Sequence, residues 1–170
     1  MKKLILNIAF FCIITAHAQV AIGKDVVSNS SVSLEFGNTE SRGMILPYVE
    51  NKSGISVNGT MIYDTTDHKV KYLKGGSWFD LSVNNTPAGT ADLSIQTTKV
   101  EKPEAKVSIG QPSSVDGILV LEDANKAMIL PKVASPHLNI INPAPGMMVY
   151  DTTARQLAVF NGTRWSFWKP

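Results

Sequence analysis

The sequence predicts an all-β protein made of two tandem small modules. Each is a three-stranded antiparallel meander with short extra strands, with room for one short helix. Two observations predict this: a long internal repeat at nearly constant offset, and short apolar segments punctuated by glycine, asparagine, aspartate and proline.

Val20-Ala21-Ile22-Gly23 recurs as Val107-Ser108-Ile109-Gly110, an offset of 87. Met44-Ile45-Leu46-Pro47 recurs letter for letter as Met128-Ile129-Leu130-Pro131, an offset of 84. Gly59 to Thr66 matches Gly146 to Thr153 at 87 again, and Gly75 and Trp78 match Gly162 and Trp165. One deletion of three residues in the second copy, upstream of Met128, accounts for the drop to 84. The repeat sets the organisation: a signal peptide at 1–18, copy one at 19–83, a polar spacer at 84–106 and copy two at 107–170.

Within copy one, Val20 to Ile22, Ser33 to Phe36 and Met44 to Leu46 read as short strands. Pro47 and Pro131 cannot donate to a ladder and mark strand ends. The meander follows, with Thr60 to Asp64, Lys69 to Leu73 and Ser77 to Ser82 as its strands. Asp64 suits an Asx-type turn through Thr65-Thr66-Asp67-His68. Gly75-Gly76 is expected to carry the second turn, and Asn161-Gly162, a strong hairpin dipeptide, the corresponding turn of copy two. Leu93-Ser94-Ile95 reads as one short strand in the spacer. Ser135-Pro136 ahead of His137-Leu138-Asn139 predicts a short helix.

Met1-Lys2-Lys3, an apolar run from Leu4 to Thr15 and Ala16-His17-Ala18 are the parts of a secretory signal peptide, too short to span a bilayer. The chain is therefore expected to be exported, to the cell surface, the extracellular space or the periplasm. Its one cysteine, Cys12, lies inside that segment. The exported part would hold together by core burial or association rather than disulfides. Without Lys2 and Lys3, the 16 basic residues fall to 14 against 14 acidic ones. Zero net charge with no basic block argues against nucleic acid as a partner. No other apolar stretch is long enough to cross a membrane, so no membrane span is expected.

Both faces of each meander are apolar. Met61 and Tyr63 oppose Ile62, and Met148 and Tyr150 oppose Val149. A sheet with one wet face should alternate cleanly, and a module of this size has a marginal core of its own. The extra face is expected to pack on the sister module or on other copies of the chain.

The order Ile-Gly, Ile-Leu-Pro, Gly-x-Met-x-Tyr-Asp-Thr, Asn-Gly-Thr and Trp covers nearly all of the chain after residue 18. It resembles a repeat of secreted bacterial surface proteins, and the knob regions of trimeric tail-fibre and adhesin-like proteins. Copy one departs from it at Lys74-Gly75-Gly76. The resemblance implies a fibre-like or adhesive interaction module that associates with itself, with a trimer as the candidate state. A surface protein or glycan is a further candidate partner.

Signals for chemistry are weak. His68 and His137 lie at non-equivalent places without metal-ligand spacing, and no Gly-x-Ser-x-Gly elbow occurs. Asp64-Thr65-Thr66-Asp67 is echoed by Asp151-Thr152-Thr153-Ala154, which lacks the second carboxylate, so the shared part forms a turn rather than a calcium loop. No enzyme activity, cofactor or metal site is expected. The paired aromatics Tyr63, Trp78, Tyr150 and Trp165 read as structural residues of the repeat. Phe79 and Trp168, which the copies do not share, are the candidate ligand contacts of an alternative reading as a carbohydrate-binding module.

Overall fold

The computed structural model describes residues 19–83, 90–100, 102 and 104–169. The expected signal peptide and residues 84–89, 101 and 103 of the spacer lie outside the described residues.

The fold is almost entirely β. Copy one contains β1 (Val20–Ile22), β2 (Val32–Phe36), β3 (Met44–Ile45), β4 (Tyr48–Val49), β5 (Met61–Asp64), β6 (Lys69–Lys74) and β7 (Ser77–Asp80). Copy two repeats them in order as β8 (Val107–Gly110), β9 (Leu119–Glu122), β10 (Ala127–Ile129), β11 (Lys132–Val133), β12 (Met147–Asp151), β13 (Gln156–Phe160) and β14 (Trp165–Trp168). Two four-residue helical turns complete the set: α1 (Ser94–Thr97) and α2 (Pro136–Asn139).

The same pairings recur in both copies. β1 runs parallel to β2 as β8 does to β9, and β4 runs parallel to β5 as β11 does to β12. β5-β6-β7 and β12-β13-β14 are the antiparallel meanders. The two Met-Ile strands cross over: β3 of copy one pairs with β12 of copy two, while β10 of copy two pairs with β2 of copy one. Gly43 shows how close the first crossing is, since a Cβ there would stand 2.7 Å from Cγ1 of Val149.

Turn chemistry explains the meander corners. Asp64 Oδ1 accepts from the Thr66 N–H at 3.0 Å, and Asp151 Oδ1 accepts from the Thr153 N–H at 2.9 Å. Both turns end on a non-glycine residue at positive φ, His68 at 58° and Arg155 at 55°, which closes the loop against the next strand. Gly75 and Gly76 both have positive φ, as a two-residue primed hairpin turn requires.

Two local expectations are corrected. The Asn161-Gly162 pair is not the centre of its turn. Asn161 precedes it, with its side-chain oxygen accepting from the Thr163 and Arg164 N–H groups, and only Gly162 has positive φ. The asparagine side chain competes for backbone donors, which is its turn-forming property. Leu93-Ser94-Ile95 belongs to no strand: Ser94–Thr97 forms α1, where the Gln96 and Thr97 N–H groups both bond the Leu93 carbonyl. The expected helix after Ser135 is present as α2, with proline at its first turn.

Two cores result. One joins the copies: Leu46, Tyr63 and Val70 of copy one pack with Met148 and Val159 of copy two and with Ala91 of the spacer. The other lies within copy two, where Val133, Ile140, Met147, Val149, Ala158 and Phe160 cluster.

Candidate functional site

Strand register decides which side chains share a face. Met61 opposes Tyr72 and Tyr63 opposes Val70 in copy one; Met148 opposes Val159 and Tyr150 opposes Leu157 in copy two. Side chains directly across an antiparallel pair lie on one face. Each meander therefore has one face with a methionine end and a tyrosine end. Phe79 extends the methionine end of copy one, because it opposes Tyr72; Trp168 extends the tyrosine end of copy two, because it opposes Leu157.

These faces meet between the copies, but not symmetrically. The tyrosine end of copy one takes the methionine end of copy two. Gly146 lies directly over Tyr63, where a Cβ would come within 2.8 Å of the Tyr63 Cβ. The Tyr63 hydroxyl donates to the Asn161 carbonyl at 3.1 Å. Burial pushes the Tyr63 phenol up to about 12. Along the rim, the Asn161 amide donates to the Val83 carbonyl at 3.2 Å, and the Val83 N–H donates to Ser166 Oγ at 2.9 Å. The Trp168 indole N–H donates to the Leu81 carbonyl at 2.5 Å.

The repeat turns this asymmetry into a measurement. Tyr63 is fully buried, whereas its equivalent Tyr150 is 36% exposed. Leu46 and Val70 are buried, whereas Leu130 and Leu157 are only half-buried. At the other end the order reverses: Met148 and Val159 are buried, and Met61 and Tyr72 are half-buried. Phe79 is exposed where its equivalent Ser166 is buried. Copy two thus keeps an open tyrosine end and copy one an open methionine end. Met128, Ile129, Leu130, Lys132 and Tyr150 line a shallow groove of about 390 Å³ at the first.

Lys132 lines the groove, but the buried charges lie away from this face. Asp64 is buried and bonded to Lys52 at 2.6 Å and Lys71 at 3.0 Å; Lys71 also reaches Asp67. Burial alone would raise the Asp64 carboxyl, but Lys52, Thr66 and Lys71 hold it well below the usual carboxylate range. Copy two has Ala158 at the Lys71 position. Asp151 is satisfied instead by the Ser135, Thr153 and Ala154 N–H groups, which outweigh burial and lower it too. Glu35, bonded to Lys24 and Ser28, is lowered to about 2.

The residues singled out from sequence fall in distinct places. Tyr63 is core between the copies, and Tyr150 is its open equivalent. Trp78 and Trp165 are half-buried, Trp165 against Phe160 at a ring separation of 5.2 Å. Phe79 stacks on Tyr72 at 5.4 Å with planes 27° apart, and Trp168 sits at the rim of the contact between copies. His68 carries a turn, and His137 stands edge-on to Phe167. Among the described residues, no group of three or more His, Cys, Asp or Glu side chains could hold a metal ion. Among them also, no helix is long and apolar enough to cross a membrane. Sequence reasoning missed Gly146 and Asn161 as contacts between copies. The replacement of Tyr48 by Lys132 at offset 84 was the available signal that the two tyrosine ends differ.

The duplicated β unit leaves Tyr150 open at one end and Phe79 open at the other. A family model described as a phage tail like trimerisation region matches residues 82–169, which is 88 of the 170 residues. The chain belongs to that family, and so to a structural, oligomerising, fibre-like class of module. The matched segment holds copy two as far as Lys169, including its open tyrosine end. No curated protein and no solved structure matches the chain.

Proposed function

We propose that this chain is an exported, non-catalytic building block of a trimeric fibre-like assembly at the bacterial surface, where it serves attachment or adhesion. The units of duplication are 19–83 and 107–170, joined by the spacer at 84–106, and 1–18 is the signal that directs export. One observation carries the reading: the segment that matches a trimerisation region, 82–169, presents Tyr150 at 36% exposure on a sheet face where its copy-one equivalent, Tyr63, is fully buried. Exposed apolar surface of that kind favours a partner, and a chain of near-zero net charge offers little repulsion between copies.

Light scattering on the purified chain at micromolar concentration tests the reading. Three chains per particle is the expected mass, and a single-chain mass contradicts it. A glycan platform is the second reading, favoured by the exposed Phe79 stacked on half-buried Tyr72. It requires tryptophan or tyrosine fluorescence to respond to a glycan, and silence across a broad panel retires it.

A further inference from the structure

We propose that the open tyrosine end of copy two receives the open methionine end of copy one from a second copy of this chain. The contact that joins the two copies within one chain would then be repeated between chains. This inference rests on the self-association reading above and specifies the surface that performs it.

The internal contact is heterologous: one module gives its tyrosine end and the other its methionine end. Such a contact uses two different patches, so each of its users is left with one unused patch. The unused patches are identifiable by the repeat. On copy two the open residue is Tyr150, flanked by Leu157 and Trp168, which also touch the internal contact; on copy one the open residues are Tyr72 and Phe79, flanked by Met61, which also packs on that core. The first set is the sequence equivalent of a surface that is covered in copy one, and the second of a surface that is covered in copy two. The internal contact, with Tyr63 buried beneath Gly146 and Met148, is the template for the contact between chains, in which Lys132 stands where copy one has Tyr48, and Leu157, Tyr72 and Phe79 stand where the internal contact has Val70, Val159 and Ser166. The same reversal extends to the strand edges. β2 is flanked by β1 and β10, while β9, its equivalent, pairs among the described residues only with β8. Val32 is 3% exposed and its equivalent Leu119 is 43% exposed.

A head-to-tail contact that closes makes a ring, and one that does not makes a filament. Isologous packing of Tyr150 against Tyr150 would instead leave every methionine end exposed. The Phe79–Tyr72 stack would then have no partner, although its equivalents Ser166 and Val159 are buried.

The test uses two variants of the purified chain, Phe79→Arg and Tyr150→Arg, each of which disables one end at an exposed residue. Each alone is expected to fall from the wild-type mass to that of a single chain, with an unchanged circular dichroism spectrum. Mixed in equal amounts they are expected to form a two-chain species, because each supplies the end the other lacks. A second measurement introduces no charge into the interface: chains carrying Asn58→Cys and Tyr150→Cys are mixed with a short bismaleimide. Heterodimers linked between the two are expected, and Tyr150→Cys homodimers are not. A multi-chain wild type whose mass neither arginine variant alters, or Tyr150→Cys homodimers in place of the mixed product, overturns this interface while leaving self-association intact. A single-chain wild type overturns both.

Discussion

Gly146 of copy two lies against Tyr63 of copy one so closely that a single methyl group on the glycine would overlap the tyrosine Cβ. Gly59 is its equivalent in copy one, shares its positive φ, and has nothing within 4 Å of where its Cβ would be. Replacing both glycines with alanine in turn separates backbone strain from contact. Gly59→Ala is expected to cost about 1–2 kcal/mol, the strain of an L residue at positive φ. Gly146→Ala is expected to cost roughly 1–3 kcal/mol more, from overpacking between the copies. Urea unfolding curves measure the difference.

The two tyrosines should respond differently to truncation. Tyr63→Ala empties a buried site and is expected to destabilise the chain by about 3–5 kcal/mol. Tyr150→Ala removes a partly exposed ring and is expected to change the stability of an isolated chain by less than about 1 kcal/mol. Thermal unfolding at a concentration low enough to keep chains apart checks both.

Acid stability follows from three depressed carboxylates. Asp64, Asp151 and Glu35 all titrate lower when folded, so their contribution is fully present above the unfolded carboxylate range. It is lost as pH falls through the folded values. The melting temperature is expected to hold from neutral pH down to about 5 and to fall steeply between about 4.5 and 2. Asp64→Asn should start from a lower melting temperature and lose less of it over that window.

Lys71 is the buried cation of copy one and touches both Asp64 and Asp67. Lys71→Ala leaves Asp64 with Lys52 as its remaining cationic partner, and is expected to cost about 2 kcal/mol, less than breaking an isolated buried pair. Lys71→Met, which fills the space, should do no better, because the carboxylate is still deprived. Chemical denaturation compares the two.

Much of the fold was legible because the repeat is nearly literal. Strand order, the meander corners and the duplicated Asp-Thr-Thr turns all follow from side chains that act locally, as Asp64 and Asp151 do on their own backbone. The Asn161 turn was misplaced for the same local reason, since an asparagine can cap a turn as well as occupy it. What the sequence could not reveal was the crossing of β3 and β10 into the opposite module. Met-Ile-Leu-Pro is identical in both copies, so nothing local says which sheet each will join. Nor does an identical Tyr-Asp-Thr announce that one tyrosine is buried and the other open. That distinction lies in what packs on it, Gly146 and Met148 for Tyr63, and in tertiary placement that composition does not carry.

The most direct measurement is hydroxyl-radical footprinting of the purified chain over a concentration series. Tyr150, Trp168 and Phe79 are expected to lose reactivity together as concentration rises into the micromolar range, while Tyr63 stays unreactive throughout. Constant reactivity at those three residues, in a preparation whose mass shows several chains, would contradict the head-to-tail assembly.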